Sequence, residues 1–316
     1  MILAPIVLFT YNRPWHTRQT IEALQKNHLA SESVIFIFSD GPKTEEDEPK
    51  VEEVRKFLKT IQGFKQIEII EREKNWGLAK NIIDGVTKVV NEYGTIIVLE
   101  DDLVTSPYFL TYMNKALEMY QHEEKVASIS GYVFPLPHPE KLPETFFIRG
   151  ADCWGWATWK RAWQYFEPDG KKLLALLNKR KECRLFDFNG SYPYTRMLKD
   201  QIKGKNNSWA IRWYASTFLN NMLTLYPRKS LVRNIGLDGS GTHCGTTDVF
   251  DGEVFHEIVL EKIPVVENKD ARLQFEIFLK NVSGISIKQF EIFLKNVSGI
   301  SIKRIWSFIK KKWRSK

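Results

Sequence analysis

Gly94-Thr-Ile-Ile-Val-Leu-Glu-Asp-Asp-Leu103 is the stretch on which the fold turns. Residues 95–99 are a short, largely β-branched run, the signature of a strand buried on both faces of a parallel sheet. The run stops abruptly at three carboxylates, Glu100, Asp101 and Asp102. Open α/β sheets bind their ligands beyond the carboxyl ends of their strands. Crowded carboxylates repel one another and hold their protons more tightly. A hard divalent cation that prefers oxygen, Mg2+ or Mn2+, relieves that repulsion. The stretch therefore predicts a metal at a strand end with a phosphate behind it; the plainer alternative is a solvated acidic turn.

Working outward, residues 5–10, 34–39 and 66–70 read as further strands, and 15–27, 43–62 and 77–92 as helices. Val51, Val54, Phe57, Leu58 and Ile61 keep helical spacing. This alternation specifies an α/β fold with a doubly wound, mostly parallel sheet and right-handed crossovers. Beyond residue 105 the pattern loosens. A helix over 107–123 and a strand over 126–130 precede residues 134–143, which hold four prolines and read as loop. Residues 146–250 mix aromatics, basics and glycines and read as a partly irregular region built onto the sheet.

Composition narrows the function classes. The 316 residues are 43% hydrophobic, enough for a sizeable core. Cys153, Cys183 and Cys244 are odd in number and widely spaced, which gives neither a disulfide framework nor a metal knuckle and suits a reducing, cytoplasmic setting. The amino terminus lacks a basic leader, and no window approaches the roughly 18 apolar residues of a spanning helix. Of the net charge of +8, seven charges come from the Lys and Arg residues of 303–316, a segment without acids. The remaining body is near neutral, which argues against nucleic-acid binding.

The carboxyl-terminal end contains an exact duplication. Residues 274–288, QFEIFLKNVSGISIK, recur letter for letter at 289–303. Phe275, Phe278, Leu279 and Val282 fall on one helical face. With the basic end and Trp306, Phe308 and Trp313, residues 266–316 read as an amphipathic helical tail lying on a membrane surface. The alternative is a helix docked on the domain with a solvated basic end.

Four segments follow strands on one side of the sheet: Phe9-Thr-Tyr-Asn-Arg-Pro14, Phe38-Ser-Asp-Gly41, Asn75-Trp-Gly-Leu-Ala-Lys-Asn81 and Leu99-Glu-Asp-Asp102. In this order they resemble the GT-A glycosyltransferases over residues 4–245, in particular bacterial family 2-like sugar transferases and the N-acetylglucosaminyltransferase I type. The resemblance implies a nucleotide-sugar-binding half (1–104) and an acceptor-side half of the same domain (105–265), followed by the tail (266–316). It also implies metal-dependent transfer, with inversion, from a nucleotide sugar, foremost a UDP-sugar, to a glycan or lipid-linked acceptor at the inner face of the membrane. Thr10, Tyr11, Asn12 and Arg13 would border the donor nucleotide. Asp40 would accept hydrogen bonds from the base or ribose, unless it is a plain Asp-Gly turn. Asn75, Gly77 and Lys80 would lie under the phosphates at a helix start. Asp102 would bind Mn2+ or Mg2+, with Glu100 and Asp101 on the nucleotide or on metal-bound water. His243, in the Gly-rich loop 234–244, would be a further metal ligand.

The acceptor side carries Gly150-Ala-Asp-Cys-Trp-Gly-Trp-Ala-Thr-Trp-Lys-Arg-Ala-Trp163. Trp154 and Trp156 are expected to stack on a sugar, while Trp159 and Trp163, four apart, pack a helix to the core. The resembling enzymes carry their catalytic base in a Trp-Asp-x-x-Trp segment. Here Trp209-Ala-Ile-Arg-Trp213 has Ala210 in the acid's place, with Arg212 free to meet phosphate. Asp152 is then the first candidate for the base, with Asp200 and Asp238 behind it. Two other readings remain. A nucleotide- or carbohydrate-binding module without catalysis is compatible with Ala210. A sugar-phosphate nucleotidylyltransferase would carry a Gly-rich loop where Thr10–Pro14 stands.

Overall fold

The run 95–99 forms the strand that its sequence predicts, at the centre of an eight-stranded sheet. The computed structural model describes residues 2–239, 249–252, 254 and 257–283. In its first half β1 (Ile6–Thr10), α1 (Pro14–Gln25), β2 (Val34–Ser39), α2 (Glu48–Leu58), β3 (Gln66–Glu71), α3 (Leu78–Tyr93) and β4 (Thr95–Glu100) alternate along the chain. The strands lie in the order β3-β2-β1-β4, all parallel. Both faces of β1, β2 and β4 are covered, which is why their sequences are almost continuously apolar, whereas the edge strand β3 carries Gln66, Glu68 and Glu71. Ile6, Leu8, Ile35, Ile37, Ile97 and Leu99 pack against α1 and α2. Val7, Phe9, Phe36, Phe38, Ile96 and Val98 pack against α3 on the other face. The alternation of strand side chains divides one apolar run between two cores.

The second half comprises β5 (Leu103–Thr105), α4 (Phe109–Met119), β6 (Val126–Ser130), β7 (Thr145–Ile148), β8 (Trp156–Trp159), α5 (Lys160–Trp163), α6 (Gly170–Arg180), α7 (Cys183–Phe186), α8 (Tyr194–Ile202), α9 (Trp209–Leu219), β9 (Leu223–Pro227), β10 (Val232–Asn234) and α10 (Lys269–Val282). It extends the sheet in the order β4-β8-β6-β9-β7. β8 runs antiparallel to β4 and β6, and β9 runs parallel to β6. The result is the mostly parallel sheet of a GT-A fold, with a short β10-β5 ribbon beside it.

Two expectations require correction. Residues 146–250 are far more regular than expected: three strands there complete the sheet, and α6 to α9 build a further apolar cluster around Leu173, Phe186, Leu198, Tyr214 and Phe218. The reading of 266–316 as a surface-lying tail fails for its first part. Ala271, Phe275, Phe278 and Leu279 of α10 are buried in that cluster, beside Phe134, Phe146 and Tyr226. The edge strand β7 has a free row of backbone groups, and the entry to α10 satisfies part of it: Asn268 N donates to Phe147 O at 2.8 Å. Asn268 also caps α10 by accepting from Ala271 N at 2.9 Å. The second copy of the duplication and the basic cluster lie outside the described residues. Among the described residues no helix is long and apolar enough to cross a membrane.

Candidate active site

The three acids leave β4 at the carboxyl end of the parallel strands, and their environments differ. Asp101 is buried and inward-facing. Its carboxylate is ion-paired with Arg13 and accepts from Tyr11 N at 3.3 Å, and its carbonyl accepts from Thr20 Oγ1 at 2.9 Å. Through these contacts Asp101 holds the β1–α1 loop in place beside the site. Burial raises its pKa, with Arg13 opposing and Asp102 adding to the rise. Asp102 lies one residue further out and accepts from Arg13 Nη2 at 3.0 Å. Burial alone would weaken the charge of Arg13, but the two aspartates outweigh it and keep the guanidinium firmly protonated. Glu100 is pushed up to about 8 by burial and by the charges of Asp102 and Asp101. No donor among the described residues reaches its carboxylate.

Neighbouring loops close around this edge. β10 pairs with β5, and Ile235 N donates to Asp102 O at 2.8 Å, so the chain after Asn234 passes directly over the acids. A Cβ on Gly236 would come within 2.2 Å of Asp102 Oδ2 and 2.8 Å of Arg13 Nη1, so any larger residue there would displace the Asp102 and Arg13 side chains. Two residues later Asp238 Oδ2 lies 3.1 Å from Nε2 of the buried His16. The contacts of His16 and Gly236 are invisible along the sequence, because each is made with a segment more than a hundred residues away.

The donor-side residues divide into wall and scaffold. Tyr11 and Asn12 donate to the two oxygens of Asp47 at 2.9 and 2.7 Å, which ties the β1–α1 loop to the loop after β2. Thr10 Oγ1 is buried without a partner among the described residues. Asp40 is buried and accepts from Gly41 N and Trp76 N with one oxygen, and from Gly77 N and the Asn75 amide with the other. Neither the expected base contact nor a mere Asp-Gly turn describes it. The carboxylate is saturated by protein donors and sets the loop that opens α3. Gly77 adopts a φ of +72°, where a Cβ is strained, and begins α3 with no side-chain cap, leaving backbone N–H groups for a ligand. Lys80 is exposed, with Nζ 4.2 Å from the Trp76 ring centre.

On the acceptor side Val98 pairs with Trp156, so the residues before β8 leave the sheet at the edge where the acids emerge. Asp152 sits in this stretch. Its amide donates to Tyr226 OH at 3.0 Å, and its Oδ1 accepts from Trp154 N at 3.0 Å. Burial pushes Asp152 up to about 7, although the amides of Trp154 and Cys153 pull the other way. The intervening Cys153 thiol feels the charges of both Asp152 and Glu100, which places the two carboxylates in one neighbourhood. Trp154 is half-buried, against Tyr132 and Phe250 at 4.6 and 5.8 Å. Trp156 is not available to a sugar. It is fully buried on β8 within a cluster of Trp163, Trp209 and Trp213, so its acceptor role is withdrawn. Trp209 and Trp213 flank Ala210 and are themselves core residues. Asp200 is also withdrawn. It lies on α8, 3.9 Å from Arg196 and 3.7 Å from Lys205, in a surface ion-pair group that no contact links to the acids.

Among the described residues no three His, Cys, Asp or Glu side chains form a ready-made metal set. His243 lies outside the described residues. The donor set itself is all carboxylate oxygen, with Glu100 lacking any donor, and it fits a hard divalent cation held by Asp102 and Glu100. Arg13 supplies positive charge to both Asp101 and Asp102.

The solved structures similar to the chain include TarS of S. aureus (15% identity, TM-score 0.29, 40% of this chain and 21% of that one). A Pyrobaculum calidifontis mannosyltransferase described in complex with GDP-Man and Mn2+ is 12% identical (TM-score 0.31, 44% and 39%). A galactosyltransferase, LgtC, in complex with donor and acceptor sugar analogues is 8% identical (TM-score 0.36, 69% and 72%). The chain thus spans well under half the length of the first two. No curated protein matches significantly. The model of glycosyl transferase family 2 matches residues 6–169, more than half of the chain, and the chain belongs to that family.

Proposed function

We propose that the chain transfers a sugar from a nucleotide-sugar donor, foremost a UDP-sugar, to the hydroxyl of a glycan or lipid-linked acceptor, with inversion. The observation that carries this reading is the trio at the end of β4: Asp101 locked by Arg13, and Asp102 and Glu100 presented beside it under the loop through Gly236. Asp102 and Glu100 would hold Mn2+ or Mg2+, which when bound supplies positive charge to the departing diphosphate. The amides at the start of α3 and Lys80 add to that charge from the other side. The Asp152 carboxylate accepts the proton of the attacking acceptor hydroxyl, and a pKa near neutrality suits that task. Trp154 offers a partly open aromatic face to the acceptor. Asp238, paired with His16 beside the acids, is the second candidate for the base. The basic cluster of 303–316 supports work at an anionic membrane surface, where a lipid-linked acceptor would lie.

The test is a screen of nucleotide sugars for hydrolysis and transfer, with and without Mn2+. Metal-dependent release of nucleoside diphosphate is expected. Tight donor binding without turnover under every acceptor tried would favour the binding-module reading that Ala210 permits.

A further inference from the structure

A groove of about 620 Å³ runs along the outer side of α3, from Trp76 before its first turn to Asn91 near its last, and the start of α9 forms its other wall. Its charge is one-sided. Arg212 reaches it from α9 and is only 8% exposed. Nε donates to Ser208 O at 3.1 Å and Nη1 to Pro168 O at 3.2 Å, both backbone carbonyls. No carboxylate among the described residues pairs with Arg212, and its Nη2 has no acceptor there. A guanidinium cannot shed its proton, so a buried one without an acid is a charge lacking its counter-ion. Lys80 and Lys88, two turns apart on α3, line the same groove, and neither has a carboxylate partner among the described residues. Asp84, the acid in the lining, is already ion-paired with Arg72.

We propose that this groove is a second binding site, for an anionic glycan, with an oxyanion seated on Arg212 Nη2 and flanked by Lys88. The planar fork of an arginine suits a phosphate or carboxylate group. Trp76, held between Arg72 at 3.8 Å and Lys80 at 4.2 Å, lies where the groove meets the donor loop. A chain bound along α3 would therefore end near Gly77. That the ligand is a glycan rests on the proposed sugar transfer; that the groove binds oxyanions does not.

The test uses the full chain with no donor or metal, and two probes, tripolyphosphate and trigalacturonate, titrated by tryptophan fluorescence and calorimetry at low salt. At least one probe is expected to bind, and the tighter one identifies the group as phosphate or carboxylate. Lys88→Glu and Arg212→Gln should each weaken binding by about tenfold or more, the loss of one charge-assisted contact. Lys88→Glu should leave Mn2+-dependent nucleotide binding at the acids unchanged. Should Arg212→Gln melt early, Lys88→Glu on the exposed face of α3 carries the test alone. Binding of neither probe, equal binding by Lys88→Glu, or competitive displacement of the probe by nucleoside diphosphate with Mn2+ would overturn the proposal. Absence of transferase turnover would not, because the readout is binding.

Discussion

Asp102 and Asp152 are carboxylates at one edge of one sheet, and their surroundings give them different work. Asp102 is ion-paired with Arg13, whereas Asp152 is desolvated and pushed up to about 7. Asp102→Ala should leave the fold intact, since Arg13 keeps Asp101, but remove metal-dependent binding of nucleoside diphosphate. Turnover should fall at least a hundredfold, about 2.7 kcal/mol in barrier, and more than a tenth of wild-type activity remaining would refute the assignment. For Asp152 the expected kcat rises with pH and levels above about 7, as a base must be ionised to act. Its stability effect has the opposite sense. An unfolded aspartate ionises near 4, so between about 4 and 7 the unfolded chain has released a proton that the folded chain retains, and stability falls as pH rises through that window. Asp152→Asn should thus lower turnover by about 10²–10⁴ while raising the Tm at pH 8, with little change at pH 4. Unchanged turnover would pass the role to Asp238. At this scale the acidic trio was legible because its members are adjacent in sequence. The roles of Arg13, Asp40 and His16 were not, because their partners lie 88, 36 and 222 residues away.

Strands buried on both faces announce themselves when they are long and β-branched, and β1, β2 and β4 did so. β7 and β9 are Thr-Phe-Phe-Ile and Leu-Thr-Leu-Tyr-Pro, with few β-branched residues and set among prolines and aromatics, so the acceptor half read as irregular. The tryptophans of β8 misled for a related reason. Density of Trp suggested a ligand surface, but β8 is an antiparallel strand inside the sheet, and its first residue is walled in by α5 and α9. Only Trp154, two residues before the strand, keeps access. The two positions should therefore separate cleanly. Trp154→Ala is expected to raise the acceptor KM severalfold with a small change in Tm. Trp156→Ala should cost about 3–5 kcal/mol of stability through the cavity it leaves, read as an early urea midpoint. The start of α3 offers a third test. Asp40→Asn replaces an acceptor by a donor facing the N–H of Gly77 or Trp76, and an unmet buried N–H costs about 1–3 kcal/mol. A raised donor KM together with a lowered Tm is expected, whereas a donor contact alone would move only KM.

The whole molecule closes on its own carboxyl-terminal segment. β7 is the last strand of the sheet, and without α10 it would expose both a backbone edge and the aromatic faces of Phe146 and Tyr226. The segment is anchored by polar bonds as well. Gln274 exchanges two hydrogen bonds of 3.0 Å with the backbone of His138, and Arg272 donates to Leu185 O at 3.0 Å and to Glu276 at 2.9 Å. The duplication was legible in the sequence, but its amphipathic stripe fits a membrane and a protein core equally well, and only the partners of Phe275 and Phe278 decide between them. They also decide what truncation does. Each buried Phe or Leu side chain contributes about 1.5–3 kcal/mol, so removing Phe275, Phe278 and Leu279 costs an amount comparable to the 5–15 kcal/mol by which a domain is stable. A chain ending at Asp270 should be insoluble or unfolded. Deleting residues 274–288 and deleting 289–303 yield one and the same sequence, in which Asn268 and Arg272 still precede a complete copy. That single-copy chain should keep the wild-type urea midpoint, because the docked copy brings every buried contact with it. A large loss of stability in the single-copy chain would mean that the second copy also packs on the domain. A folded, soluble chain ending at Asp270 would return α10 to the role of a surface-lying tail.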